Sequence, residues 1–456
     1  MVSDDGFKRQ LSPLEVPWKW HQAITALTPA PGVKPPRVMV CGPKGTGKST
    51  LARLMVNRLL TANASPNGLI DRVFLLDLDP GQPEYSPPGQ LSLVVLQQPN
   101  FGPPFSHPIT DITSSVRTAR AHALGSTSPK EDPDHFLRCA IDLMTEFDHS
   151  LPWSPLVINT PGWVVGTGGD ILVQLIKKLD VTEICYTKDD EKPQIIQALT
   201  QAAGTKPIRL LPSQQSCAVA PRSAAELRDM QTLSYFHQGS IRAGHLHWDS
   251  SPLTHKKPYV VGYGERNSAI LGVACYGDWP GADYLSTLLD GSLVSIVKTY
   301  DGEVATNWPD DASPPPPLQL TIARAQNSDI PYVCPSAAGF VPSLDPMISH
   351  TIGQALIRGI DTVNKTFHVL TPVPAATLAS LDPAKTVLVK GTDTAPGWAY
   401  MEEVAWRNSR EGDLDAGGEV EGSTGKQPWL QEIGPGGRGA GAAPLRTRRF
   451  RGVERG

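Results

Sequence analysis

The run Val38-Met39-Val40-Cys41, followed at once by Gly42-Pro43-Lys44-Gly45-Thr46-Gly47-Lys48-Ser49, constrains this chain more than any other feature. The apolar residues read as a buried strand and G-x-x-x-x-G-K-S as a glycine-rich loop. Leu51, Leu54, Met55 and Leu59 then recur at helical spacing. Strand, loop and helix in that order predict a phosphate cradle at the mouth of a parallel sheet. Without Cβ atoms at the glycines, successive backbone N–H groups can curl around a polyphosphate. The expected cradle is Gly42, Pro43, Lys44, Gly45, Thr46, Gly47, Lys48, Ser49 and Thr50. Lys48 can reach the β- and γ-phosphates, and the Ser49 hydroxyl can ligate Mg²⁺. The expected ligand is a nucleoside triphosphate.

A chain of 456 residues suggests more than one domain. Residues 1–36 read as a lead-in, with Pro17-Trp18 and Pro35-Pro36 bracketing a helix-like piece from His21 to Leu27. From 37 to 240 apolar runs alternate with helical patterns, as a parallel sheet with crossover helices requires. The strand candidates are Val38–Cys41, Val73–Leu78, Leu156–Asn159, Glu183–Tyr186 and Ile208–Leu211, and Ile171, Leu172, Leu175, Ile176 and Leu179 form an apolar helical stripe. From 241 to 406 the stretches shorten and alternate, predicting a smaller β-rich C-terminal domain. Its strands are Pro258–Tyr263, Ser268–Tyr276, Leu293–Lys298, Gln354–Ile360, Thr366–Leu370 and Thr386–Lys390. Residues 407–456 are glycine-rich, with an acidic stretch giving way to arginines, and read as a disordered tail.

Composition narrows the setting. No apolar run is long enough to span a bilayer, and Met1 to Gln10 lacks a secretory hydrophobic stretch, so no membrane partner is expected. The expected compartment is cytosolic or nuclear. Cys41, Cys139, Cys185, Cys217, Cys275 and Cys334 have no zinc-type pairing and read as small core residues. A net charge of −4 leaves room for a locally basic groove.

The second predicted strand runs into Asp77-Leu78-Asp79-Pro80-Gly81-Gln82. A carboxylate at the end of the strand beside a phosphate loop is where Mg²⁺ and a nucleophile are arranged. Strand alternation puts Asp77 and Asp79 on one side. One would hold the metal through water while the other faces the acceptor hydroxyl. The third strand ends Asn159-Thr160-Pro161-Gly162-Trp163, without the Asp-x-x-Gly of a GTPase switch. Trp163 can stack a base of a single-stranded nucleic acid or close the edge of the core. Gly125-Ser126-Thr127-Ser128-Pro129 is a turn whose hydroxyls suit phosphate or sugar contacts. Arg222 to His237 reads as a helix with Leu227, Met230, Leu233 and Phe236 on its apolar face. Arg222 and Arg228 on it are either solvated or, if the helix is mobile, able to close over the phosphates.

Together G-P-K-x-x-G-K-S, D-L-D-P-G-Q-P-E (Asp77 to Glu84), P-P-G-Q-L-S-L (Pro87 to Leu93), the G-x-T-S-P turn and T-P-G-W resemble the polynucleotide 5′-hydroxyl kinases. The likeness runs from about Trp18 to Trp406 and includes Gly359-Ile360-Asp361 and Gly397-Trp398-Ala399-Tyr400. Lys44 and Pro161 favour the nucleolar branch that acts in pre-ribosomal RNA processing over its cousin, the kinase subunit of the messenger-RNA cleavage factor. The resemblance implies a P-loop α/β fold, ATP and Mg²⁺ as cofactors, and phosphate transfer to the 5′-hydroxyl end of RNA.

In that likeness Lys48 and Ser49 match the ATP-phosphate and Mg²⁺ residues and Lys44 a further phosphate contact, while the strand-end reading above puts Asp77 on the metal side. Asp79, with Gln82 nearby, matches the general base. Thr127 and Trp163 match a clasp on the first nucleotides, with Thr160 and Gly162 beside it, and Arg228 and Arg222 fall in the lid region. The implied partner is a pre-rRNA endonuclease that cleaves the second internal transcribed spacer, and the implied location is the nucleolus of the nucleus. The alternative is a catalytically weak ATP-binding scaffold subunit of such a nuclease complex. Two departures stand out. Family members carry a β-rich N-terminal domain before the phosphate loop, so 1–36 implies that this portion is missing from the sequence, and the tail after Trp406 does not resemble the family's C-terminal end.

Overall fold

The structure is a computed structural model. It describes residues 14–27, 34–62, 71–108, 115–150, 153–188, 193–214, 223–242, 245–300, 320–392, 397–399, 401–404 and 406–407. Of these, 15–214 and 223–399 fall in one compact unit, and 14, 401–404 and 406–407 in a second. The tail expected at 407–456 lies, beyond Arg407, outside the described residues, as do Arg222 and Cys217. Within the second unit Arg407 pairs with Glu403 one helical turn away.

The larger unit opens with α1 (Trp18–Ala26), then β1 (Arg37–Cys41), α2 (Lys48–Ala62), β2 (Val73–Asp77), β3 (Gln90–Leu96) and β4 (Val116–Ala123). There follow α3 (Pro133–Ser150), β5 (Leu156–Asn159), α4 (Thr167–Lys178), β6 (Glu183–Lys188), α5 (Pro193–Ala203), β7 (Ile208–Pro212) and α6 (Ala224–Phe236). The sheet order is β4-β3-β2-β5-β1-β6-β7. β2, β5, β1, β6 and β7 are parallel, as the alternation of strand and helix predicts. β3 and β4 are a correction: they add an antiparallel edge to the expected parallel sheet.

Alternation along each strand divides the core into two faces. Val38, Val40, Val73 and Leu75 meet Trp20 of α1 and Leu51, Met55 and Leu59 of α2. Met39, Cys41, Phe74 and Leu76 meet Phe136, Leu143 and Phe147 of α3 and Leu172, Leu175 and Ile176 of α4. Both faces are covered, so the strands read as continuous apolar runs. The lead-in helix belongs to this core. Trp20 is fully buried and its Nε1 donates to the Pro212 carbonyl at 2.7 Å.

β4 is an unpromising strand by sequence, because Arg120 and His122 bring a charged and a polar side chain to its buried end. Asp142 of α3 resolves this: it lies 2.6 Å from Arg120 Nε and 2.7 Å from His122 Nε2. A buried carboxylate supplied from another element makes the strand tenable.

The C-terminal region forms an eight-stranded sheet within the same unit. Its order is Tyr259–Gly262, Thr366–Leu370, Ser349–Asp361, Leu293–Thr299, Thr386–Lys390, Gly272–Cys275, Pro331–Val333 and Ile322–Arg324. Thr366–Leu370 and Thr386–Lys390 are where the alternation predicts them, whereas the strand expected over Ser268–Tyr276 is confined to Gly272–Cys275. Side chains tie this sheet to the first. Arg120 Nη2 donates to the Pro346 carbonyl at 3.0 Å, and Ser343 Oγ to Asp132 Oδ2 at 2.8 Å.

Candidate active site

A cleft of about 620 Å³ opens at the C-terminal ends of β1, β2 and β5, where ligands of open parallel sheets bind. Its floor is the phosphate loop, through Lys44, Gly45, Gly47, Lys48, Ser49 and Thr50. Gly42, Pro43 and Thr46 of the expected cradle shape the loop from inside instead. Thr46 is buried, with its Oγ1 2.6 Å from Thr187 Oγ1 and donating to the Pro43 carbonyl at 2.9 Å. Trp20 supports the loop from beneath: a Cβ at Gly47 would lie 2.7 Å from its ring. No motif in the sequence marked Trp20 for this role; the only signal was a large aromatic in a short amphipathic helix.

Lys48 is only 6 % exposed, and its Nζ donates to the Pro43 carbonyl at 2.8 Å. Burial lowers its pKa, and the nearby Asp79 charge opposes that shift. Asp79 responds in the converse sense: burial raises its carboxyl, while Lys48 and the N–H groups of Gly81 and Gln82 pull it down. Its Oδ1 accepts from Gly81 N at 3.0 Å and Gln82 N at 3.4 Å. Its Oδ2 has no hydrogen-bond partner among the described residues. A carboxylate so held, in the same cleft as Lys48, can accept a proton from a hydroxyl placed between them.

Asp77 departs from the expectation. β2 ends at Asp77, so alternation no longer governs Asp79, and the two carboxylates part. Asp79 lines the cleft; Asp77 is 1 % exposed and does not. Its Oδ2 accepts from Glu84 N at 2.6 Å, and its Oδ1 from Asn159 Nδ2 at 3.0 Å and Asp79 N at 3.3 Å. Asp77 therefore closes the 77–84 loop on itself and pins it to β5, rather than presenting a ligand to a metal. Burial pushes its carboxyl up to about 7 against those hydrogen bonds.

The same loop is anchored twice more. Glu84, buried, pairs with Arg53 of α2 at 2.8 Å and with His107 at 3.0 Å. Despite its burial, its carboxyl is held below the usual range by His107 and Arg53. From the other side, Gln231 of α6 donates its amide to the carbonyls of Pro83 and Ser86, each at 2.7 Å.

That bond corrects the picture of a mobile arginine-bearing helix. α6 starts at a capping box, with Ser223 Oγ accepting from Glu226 N and Glu226 Oε2 from Ser223 N. Its first turns put Arg228 and Ala224 on the cleft. Its last turns are buried and fastened: Gln231 to the 83–86 loop, and Tyr235 OH accepting from Gln354 N of the C-terminal sheet at 3.0 Å. Arg228 thus rides on a helix fixed at its far end.

Opposite stand Trp163 and the 125–130 turn. Trp163 closes the edge of the core, and its position also leaves it on the cleft. Its ring packs on the start of α4, where a Cβ at Gly168 would lie 2.5 Å from it, and it also lines the cleft. Gly162 is needed for close approach, because a Cβ there would lie 2.8 Å from Lys44 Cα. Thr160 is kept out: it is 1 % exposed and its Oγ1 donates to the Val40 carbonyl at 3.1 Å, so it joins β5 to β1 instead of touching a substrate. Gly81, Gln82, Thr127, Ser128, Pro129, Lys130 and Pro161 complete the lining, and of these Lys130 was not foreseen.

A glycine-rich loop between β1 and α2, a carboxylate just past β2 in the same cleft as the loop's lysine, and an arginine-bearing helix across it define a P-loop nucleotide-binding domain. Residues 42–238 match the family described as mRNA cleavage and polyadenylation factor CLP1 P-loop. The chain is 36 % identical over 439 residues to the polynucleotide 5′-hydroxyl-kinase grc3 of Aspergillus niger, covering 88 % of this chain and 53 % of that protein. It is also 36 % identical over 426 residues to the GRC3 kinase of Gibberella zeae, covering 90 % and 57 %. It therefore spans little more than half the length of these curated relatives. In fold it resembles Clp1p as solved in complex with Pcf11p, with a TM-score of 0.54, 16 % identity, and coverage of 83 % of this chain and 80 % of that one. By sequence the chain is similar to the Grc3 polynucleotide 5′-hydroxyl-kinases, its residues 42–238 match the CLP1 P-loop family, and its fold resembles that of Clp1p.

Proposed function

We propose that this protein transfers the γ-phosphoryl group of ATP to the 5′-hydroxyl end of RNA. The observation that carries the reading is that Lys48, Asp79 and Trp163 share one cleft. The phosphate loop and Lys48 hold the triphosphate, and Lys48 balances charge that develops on the transferring group. Asp79, raised by burial but steadied by Lys48, takes the proton of the attacking hydroxyl through its free Oδ2. Arg228 faces the phosphates from α6, and Trp163 with Thr127 receives the first nucleotides.

The oxygen donors fit Mg²⁺: the Ser49 hydroxyl and Asp79 carboxylate both line the cleft. Among the described residues no three His, Cys, Asp or Glu side chains converge as a metal centre, so phosphate oxygens would complete the coordination with Ser49. Held there, Mg²⁺ would supply charge neutralisation for the phosphate groups.

Lys44 and Pro161 support placement in the nucleolar branch, hence a pre-rRNA substrate, a nuclease partner and a nucleolar location. The likeness to a Clp1p structure solved with a protein partner supports assembly with another protein. Purified protein with γ-labelled ATP and 5′-hydroxyl RNA tests the activity. Transfer should exceed that of Lys48→Ala by orders of magnitude. Tight ATP retention without transfer by the wild type would instead mark a scaffold. For the setting, affinity capture from nucleoli should recover an RNA endonuclease; its consistent absence counts against that placement.

A further inference from the structure

The cleft carries four cationic side chains, Lys44, Lys48, Lys130 and Arg228, against a single carboxylate, Asp79. Three of the cations are already used by the phosphate-transfer reading: Lys44 and Lys48 belong to the phosphate loop, and Arg228 faces it from α6. Lys130 stands apart from that group. It sits at the far end of the turn that carries Thr127, and Pro129 between them lies beside Trp163 and the start of α4.

This turn is built to hold position. Ser126 Oγ donates to the Ser128 carbonyl at 2.6 Å, and Lys130 N donates to Ser128 Oγ at 3.3 Å. At its base, Thr392 N, just past the C-terminal sheet strand Thr386–Lys390, donates to the Gly125 carbonyl at 2.7 Å. A Cβ on Gly391 would lie 1.8 Å from that carbonyl oxygen, so the two backbones are in direct contact. The Lys130 side chain, by contrast, is exposed and has no ion pair among the described residues. The acids that follow it in sequence do not neutralise it: Glu131 is exposed and off the cleft, and Asp132 is taken by His135 N and Ser343 Oγ. A flexible ammonium on a rigid turn, beside the aromatic that receives a base, suits a mobile backbone phosphate.

We infer that Lys130 binds an internucleotide phosphate on the 3′ side of the acceptor nucleotide, and so selects a polynucleotide over a free nucleoside. The inference rests on the kinase reading for its substrate but has its own readout. Binding of a 5′-hydroxyl decaribonucleotide is followed by fluorescence anisotropy across a salt series. Lys130→Ala should weaken binding roughly 3- to 10-fold and flatten the slope of log K against log salt by about 0.7, the share of one phosphate contact on a single strand. Lys130→Arg should restore both, and Lys130→Glu should weaken binding further. With ATP present, Lys130→Ala should lower kcat/KM on the decamer and leave transfer to adenosine unchanged. An unchanged salt slope in both the Ala and Glu variants overturns the inference, as does an equal loss on adenosine and decamer. A wild type that binds the decamer with a Lys130-dependent slope, yet transfers no phosphate, upholds this contact while the kinase reading fails.

Discussion

The floor and the walls of the cleft are made in different ways. The floor, residues 42–50, is a contiguous segment whose motif, strand and helix lie side by side in the chain. The walls come from elements far apart: the 79–82 loop, the 125–130 turn, Trp163 and α6. Each wall is positioned by something outside its own segment. Arg53 and Gln231 grip the 83–86 stretch, Gly391 and Thr392 brace the turn, and the start of α4 backs Trp163. The floor should therefore bind nucleotide without the walls, whereas acceptor binding and proton transfer should depend on the residues that brace them.

The sharpest way to break this comparison is at the floor and its facing base. Lys48→Ala should reduce transfer by roughly 10²–10³-fold or more, as loss of a charge-stabilising group does, and ATP binding should weaken with it. Asp79→Asn should cost about 10²–10⁴-fold in kcat while ATP affinity, measured by calorimetry, stays near wild type. If Asp79→Asn retained full transfer, the division between floor and wall would be misdrawn at its centre.

Smaller effects probe the supports. Gly391→Ala forces a backbone contact apart and should cost about 1–3 kcal/mol of stability, read from urea unfolding. It should also impair transfer to RNA more than it impairs ATP binding. Gln231→Met leaves the Pro83 and Ser86 carbonyls without their donor, for about 2 kcal/mol. Because the base loop then loosens, kcat should fall roughly tenfold or more with KM for ATP unchanged. A merely structural glutamine would lower stability without that split.

The last expected effect concerns pH. Asp77 titrates near 7 when folded but near the ordinary ~3.9 when unfolded. The folded state therefore binds the extra proton between these values, and stability falls as pH rises from about 4 to 7. The slope from this group cannot exceed about 1.4 kcal/mol per pH unit. Urea midpoints from pH 5 to 8 should show the fall, and Asp77→Asn should flatten it. Activity runs the other way. Asp79 must be ionised to accept a proton, and burial has raised its pKa, so the rate should decline with acidification sooner than an ordinary carboxylate would dictate.

Much of this was legible before any coordinates. Leu156–Asn159, Thr366–Leu370 and Thr386–Lys390 are strands with the bounds read from alternation, and the phosphate loop lies where its motif put it. Asp79, Gln82, Thr127, Gly162, Trp163 and Arg228 do converge on Lys48. What failed did so for identifiable reasons. β4 was hidden because Asp142, a partner some twenty residues away in sequence, pairs with its Arg120 and hydrogen-bonds the ring of its buried His122. Asp77 was misplaced because a periodicity rule was carried one step past the end of a strand.

Local chemistry alone settled the phosphate cradle, since glycine freedom, a lysine and a hydroxyl act within a single turn of chain. Period-two and helical spacing likewise settled the layered core, because burial of one face needs no knowledge of which neighbour covers it. Only the tertiary structure decided which of two nearby aspartates meets the cleft, which threonine is withdrawn into the sheet, and whether the arginine helix swings or is fastened. Those outcomes rest largely on hydrogen bonds between segments far apart in the chain, 82 residues for Asp77 and Asn159, 120 for Thr160 and Val40, and 148 for Gln231 and Pro83, and no local pattern encodes where such partners will lie.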